Sequence, residues 1–159
     1  MERVAKIIKN HEYEACLKKI KSLEKHRKFC KHNIKHFLDV ARIAYILKLE
    51  RNIDVNKEII YSVALLHDIG RHRQYEEGVP HEKASADIAV SILKNSGFSG
   101  EEIRKITNAI EEHRKNIGES SELGTIIYEA DKLSRKCFSC NFRRTCNWKD
   151  DKKNYTIKY

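Results

Sequence analysis

The sequence predicts an all-α protein with a single core domain, and three observations carry that prediction. Only one Pro and six Gly occur in 159 residues, too few for a fold built on frequent tight turns. Apolar residues recur at helical spacing in segment after segment, with capping residues between the segments. No internal repeat or low-complexity stretch divides the chain.

The elements follow in order. From about Glu2 to Lys28 the chain is highly charged, and Leu17, Ile20 and Leu23 form a thin apolar line suited to one or two amphipathic helices. A stronger helix runs from about Asn33 to Glu50, with Phe37, Val40, Ala41, Ala44 and Leu47 on one face, and Asn52 and Asp54 break it. Asn56 is the expected N-cap of the next helix, which carries Ile59, Ile60, Val63, Ala64 and Leu66 and ends at Gly70. A loop containing Gly78 and Pro80 follows. From His81, residues Ala84, Ser85, Ile88, Ala89 and Ile92 keep helical period until Gly97 stops it. Ser99 with Glu102 is a capping-box signature for a helix to about Lys115, closed by Gly118. The last core helix covers roughly Ser121 to Arg135, and the basic tail from Lys149 to Tyr159 is expected to be loosely ordered.

Charge narrows the function classes. Lys and Arg number 32 against 23 Asp and Glu, a formal charge of +9, which points to an anionic partner with phosphates first among the candidates. No apolar run approaches the roughly 18 residues needed to span a bilayer, and the N-terminus lacks the apolar segment of a secretory signal. A cytoplasmic protein without membrane association is expected, as monomer or homodimer.

The chemistry lies in polar residues on apolar helix faces. His36 shares a face with Val40, Ala44 and Leu47; His67 aligns with Ile60, Val63 and Ala64; His81 with Ala84, Ser85 and Ile88. His113 follows Ile106, Ala109 and Ile110, and Asp131 follows Leu123 and Ile127. A lone inward His is usually a satisfied core residue, but five such groups on separate helices are different. Each costs about 1–3 kcal/mol if left unsatisfied in the interior, and a shared cation removes that cost for all at once. Asp68, beside His67, adds a carboxylate able to bridge two ions. Four His and two Asp suit one or two octahedral ions such as Fe, Mn or Co better than one tetrahedral zinc.

These residues carry a resemblance. His36 with Val40-Ala41, then His67-Asp68-Ile69-Gly70-Arg71, then Ala130-Asp131-Lys132, resembles the H…HD…D signature of the HD-domain metal-dependent phosphohydrolases over about residues 30–135. His81 and His113 resemble the subset with two metal ions. The run Ile126-Ile127-Tyr128-Glu129-Ala130-Asp131-Lys132 is similar to the final motif of the bacterial hydrolases that split diadenosine tetraphosphate. The Glu111–Lys115 segment departs from the His-Thr pair of those enzymes. The resemblance implies a helical bundle with His36, His67, Asp68 and Asp131 around one ion, and His81 and His113 joining Asp68 around a second. It implies hydrolysis of a phosphate ester or anhydride of a nucleotide or similar small molecule by metal-activated water, with Asp68 as the bridging group. Arg71 is the first candidate for holding a substrate phosphate, and Lys132, Arg114 and Lys115 are further ones. His11, His26, His32 and His72 lie among charged neighbours and are expected in solvent.

The cysteines form a second pattern. Cys137, Cys140 and Cys146 make a C-x2-C-x5-C cluster, and Cys30 precedes His36 by the same six residues by which Cys137 follows Asp131. If His36 and Asp131 meet on antiparallel helices, Cys30 joins the cluster as a fourth thiolate. Such a set suits structural zinc or an iron–sulfur cluster, and C-x2-C spacing favours zinc. The alternative is three separate small apolar side chains. Cys16 has no assigned partner.

Three parts are therefore expected: an N-terminal helical segment packed on the core (1–28), the core itself (29–135) and a cysteine-rich tail (136–159). The competing function class is a metal-retaining sensor, or a module that binds nucleotide or nucleic acid without turnover. Nucleic acid is the less favoured partner. Charge gathered at the metal mouth would favour the hydrolase, and a long basic stripe with exposed aromatics the binding module.

Overall fold

The computed structural model describes residues 1–114 and 120–159, and it contains eight α-helices and no strand among them. They are α1 (Glu2–Ile8), α2 (His11–Leu23), α3 (Ile34–Glu50), α4 (Lys57–Leu66), α5 (Arg71–Glu77), α6 (His81–Asn95), α7 (Gly100–Glu112) and α8 (Glu122–Leu133). Two short 3-10 turns, Cys137–Ser139 and Asp150–Lys152, punctuate the tail. No described helix is long and apolar enough to cross a membrane. Lys115 and Gly118 lie outside the described residues.

Helix α4 is the hub. Its run Ile59-Ile60-Tyr61-Ser62-Val63-Ala64-Leu65-Leu66 is apolar nearly all round, so it has no solvent face, and it touches α1, α3, α6, α7 and α8. The one polar group in that run to be fully buried, the Ser62 hydroxyl, donates to the Glu58 carbonyl one turn back at 2.7 Å. Helix starts follow their caps: Asn33 and Asn56 accept backbone N–H groups at the heads of α3 and α4, and Ser99 and Glu102 close the reciprocal capping box of α7.

The N-terminal segment is two helices, within the one or two expected, because the Asn10 side chain accepts from the N–H groups of Glu12 and Tyr13 and starts a new one. Other local expectations are corrected. The buried stripe of α2 is Tyr13, Cys16 and Ile20, while Leu23 is exposed, since an aromatic ring and a thiol do the work expected of leucines. The stretch after Gly70 is not simply a loop. It forms α5, seven mostly polar residues of which only His72 is buried, so it has no apolar period to betray it. Gly78, at φ 74°, ends that helix in the left-handed region.

Helix α4 itself stops at Leu66, and His67 to Gly70 form a tight turn against α6. Gly70 makes that approach feasible: a Cβ there would lie 2.4 Å from the Ser85 nitrogen and 2.6 Å from the Ala84 carbonyl carbon. Its N–H donates to the Ser85 hydroxyl at 2.9 Å, which explains a serine on the otherwise apolar face of α6. The tail is better fixed than expected. The Asn154 side-chain amide donates to the carbonyls of Lys132, Leu133 and Arg135, satisfying acceptors that the end of α8 leaves open.

Candidate metal centre

Six side chains from five elements converge beside one cavity of about 550 Å³, which His36, His81, His113 and Asp131 line. Helix α3 delivers His36, the turn after α4 delivers His67 and Asp68, α6 begins with His81, α7 is capped by His113, and α8 carries Asp131. His67, Asp68, His81 and His113 are buried, whereas His36 and Asp131 keep 17% of their side-chain surface toward the cavity.

One arrangement recurs in three of the histidines. The Nδ1–H of His67 donates to the Ala64 carbonyl at 2.7 Å, that of His81 to Gln74 Oε1 at 2.9 Å, and that of His113 to the Ile110 carbonyl. Each acceptor is an oxygen without a proton, so each ring carries its hydrogen on Nδ1 and presents the bare Nε2 lone pair inward. Those Nε2 atoms surround Asp68, at 3.4 Å from Oδ2 for His67, and at 3.1 Å and 3.8 Å from Oδ1 for His81 and His113. His81 and His113 bring their Nε2 atoms within 3.3 Å of each other, two lone pairs face to face. His36 Nε2 stands 3.5 Å from Asp131 Oδ1, and the Nε2 atoms of His36 and His67 are buried with no hydrogen-bond partner.

Orphaned acceptors at such distances fit a cation. Two trios able to hold an ion form, His36–His67–Asp68 and Asp68–His81–His113, each with its N or O atoms within 4.8 Å of one another. Asp68 belongs to both and is placed to bridge. Acidities follow the same geometry. Burial, with His67 nearby, pushes His36 down to about 4 and His113 down to about 3, and burial also lowers His81. His67 is raised because the Asp68 carboxylate outweighs its burial. Against burial, Asp68 is held well below its ordinary range by His67, Arg71 and His32, and Asp131 is held low by Lys132 and His67. The site thus keeps His36, His81 and His113 neutral beside ionised carboxylates, the protonation state that metal ligation requires.

The remaining candidates divide. Arg71 reaches the site, but its Nε donates to Asp68 Oδ1 at 2.9 Å, so its charge is already engaged at the cavity floor. Lys132 Nζ donates to Asp131 Oδ2 at 2.7 Å, and Arg114 lines the cavity. Lys and Arg outnumber carboxylates on the cavity wall, where Arg135, Lys136 and Arg143 join those three. All four expected cysteines, Cys30, Cys137, Cys140 and Cys146, also line it, yet no three of their sulfurs come within 4.8 Å of one another.

Two histidines expected in solvent are not there. His72 is buried with Nδ1 donating to the Ile69 carbonyl at 3.1 Å, bracing the turn that holds Asp68. His32 matters more. Its Nδ1–H donates to Glu24 Oε1 at 2.5 Å, and its Nε2 stands 3.5 Å from Asp68 Oδ2. Glu24 is 3% exposed and also accepts from the Tyr75 hydroxyl and the His32 N–H, and those bonds hold it down to about 2 in spite of its burial. The sequence did carry a signal: His32 lies four residues before His36, one helical turn away. Helix α3 begins only at Ile34, so His32 lies in the loop before it and periodicity could not orient it.

A family model described as HD domain matches residues 33–136. An uncharacterized protein of Clostridium beijerinckii is 50% identical over 159 residues, 100% of both chains. Ribonuclease Y of Acetivibrio thermocellus is 29% identical over 101 residues, which are 64% of this chain and 17% of that protein, so this chain spans only a small part of that relative's length. The crystal structure of a predicted HD superfamily hydrolase from an uncultured Thermotogales bacterium matches with a TM-score of 0.66 at 23% identity, covering 89% of this chain and 79% of that one, a likeness of fold.

Proposed function

Because this chain belongs to the HD-domain family, we propose that it is a metal-dependent phosphohydrolase acting on a phosphate ester or anhydride of a nucleotide or similar small molecule. The observation that carries this reading is Asp68, whose two oxygens face two sets of histidine Nε2 atoms on either side. One or two divalent ions of the Fe, Mn or Co type, held by His36, His67, Asp68, His81, His113 and Asp131, would supply an activated water and neutralise phosphoryl charge.

The rest of the work falls to the chain. His32, fixed on Glu24, brings its Nε2 to 3.5 Å from Asp68 Oδ2 at the edge of the centre. Arg71, engaged with Asp68, sits where a substrate phosphate would take up its NH groups, and Lys132 and Arg114 flank the same opening. Burial of Asp68, His67 and His113 removes bulk water from around the reacting phosphorus. Trp148, 43% exposed, lines the cavity with Arg135 stacked 3.8 Å from its ring, and offers a nucleobase a flat face at the rim.

A second reading has its own support. Phe142, Trp148 and Tyr155 are exposed on the basic tail, the pairing of aromatic faces and positive charge that binds single-stranded nucleic acid, and the distant relatives named ribonuclease Y are consistent with an RNA substrate. One screen tests both: the metal-loaded full chain against nucleotides, dinucleotide polyphosphates and short oligoribonucleotides, with release of phosphate or nucleotide as readout. Turnover that Asp68→Ala abolishes supports the hydrolase. No release from any of these substrates would sink it.

A further inference from the structure

We propose that Cys30, Cys137, Cys140 and Cys146 hold a four-iron, four-sulfide cluster in the wall of the cavity, separate from the histidine and aspartate centre. Two chain segments far apart in sequence bring these thiols to one cavity: the loop before α3 with Cys30, and the stretch from the 3-10 turn Cys137–Ser139 through Cys140 to Cys146. None is in a disulfide. The Cys140 N–H donates to the Cys137 carbonyl at 3.2 Å, so the C-x2-C pair is already folded into the tight turn that such pairs use to grip a metal.

The spread of the sulfurs decides between the two centres that four cysteines can hold. A single zinc ion at about 2.3 Å from each sulfur would gather them to within about 4 Å of one another. Here no three lie within 4.8 Å, although all four line the same cavity. In a four-iron cluster each cysteine binds a different iron, and the cluster's own bulk holds the sulfurs apart. The zinc that the C-x2-C spacing favoured is therefore the poorer fit.

Charge and stability point the same way. Four thiolates around a cluster carry net negative charge, and Arg135, Lys136, Arg143 and Lys153 line the wall that would meet it. Arg135, only 9% exposed, is stacked on Trp148 and donates to the Lys152 carbonyl at 3.3 Å, which holds its positive charge in that wall. In residues 136–159 the only buried apolar residue is Cys137, so this segment has no core of its own and needs a cross-link to hold a defined shape. Cys16, packed in the apolar core between α1 and α2 and the rest of the bundle, takes no part.

The test uses the full chain purified without oxygen, with iron, zinc and acid-labile sulfide counted per chain and the visible absorption and reduced-state EPR spectra recorded. The expectation is about four sulfides per chain with a broad visible band. Cys30→Ser and Cys146→Ser should each lose the sulfide and the band, while Cys16→Ser and Asp68→Ala keep both. Since labile sulfide is absent from a histidine and aspartate centre, the outcome is independent of the phosphohydrolase reading. Should Cys30→Ser fail to fold by circular dichroism, Cys146→Ser, outside the helical core, gives the same readout. Three results would overturn the proposal: no labile sulfide after anaerobic purification and reconstitution with ferrous iron and sulfide, zinc on these cysteines instead, or sulfide that survives Cys146→Ser.

Discussion

His32 Nε2 stands 3.5 Å from Asp68 Oδ2, and its opposite nitrogen is fastened to the buried Glu24. A carboxylate behind a histidine fixes its tautomer and its direction, the arrangement by which outer residues tune a metal site. Glu24→Gln should therefore weaken metal retention by about 10-fold to 100-fold. His32→Ala should do at least as much, with little change in helix content. Isothermal titration of the metal-stripped protein with manganese measures this, and unchanged affinity in both variants would show the contact to be incidental.

Gly70 sets how closely the turn bearing Asp68 approaches α6. With a Cβ only 2.4 Å from backbone in the way, Gly70→Ala forces the turn outward and should destabilise by about 1–3 kcal/mol, as overpacking does. Ser85→Ala, which removes only the acceptor of the Gly70 N–H, should cost about 1–3 kcal/mol for the unsatisfied donor. Urea melts of the two variants, read against wild type, are the measurement. A Gly70→Ala protein as stable as wild type would mean that the turn is free to move.

Acid should loosen the centre. His36 and His113 take up protons in the fold only near 4 and 3, whereas the unfolded chain binds them near 6.5. Between those values the unfolded state holds more protons, so stability is full above about pH 6.5 and falls as pH drops through that window. His67, raised in the fold, works in the opposite sense and offsets part of the loss. Melting temperature of the metal-stripped protein should therefore decline between pH 7 and pH 4, and metal should be released over the same range. A flat profile would contradict the burial of neutral imidazoles.

Metal removal should be visible as lost stability. At a free concentration of about 1,000 times the dissociation constant, an ion that binds only the folded state adds about 4 kcal/mol. For a chain of this length that corresponds to about 8–16 °C in Tm. Chelation followed by dialysis should lower Tm accordingly, and manganese should restore it in wild type but not in Asp68→Ala. Equal melting of both forms with and without metal would contradict the site.

What the sequence determined by itself was the helical class, the start of nearly every core helix and the side chains that turn inward. These are local matters: caps act within three residues, and a 3.6-residue period assigns a face without reference to the rest of the chain. His36, His67, His81, His113 and Asp131 were legible because each interrupts an apolar face, and Asp68 because it adjoins one of them. Helix α5, His32 and His72 were not legible, since their partners lie elsewhere: Glu24 is eight residues from His32, and Asp68 is across the bundle. Only the tertiary structure decided that Asp68 stands between two sets of histidines, that Arg71 is turned onto it, and that Cys30 shares a cavity wall with the three cysteines of the tail. Such relations are set by how helices pack and how closely Gly70 lets one turn approach another, and no local pattern along the chain encodes those distances.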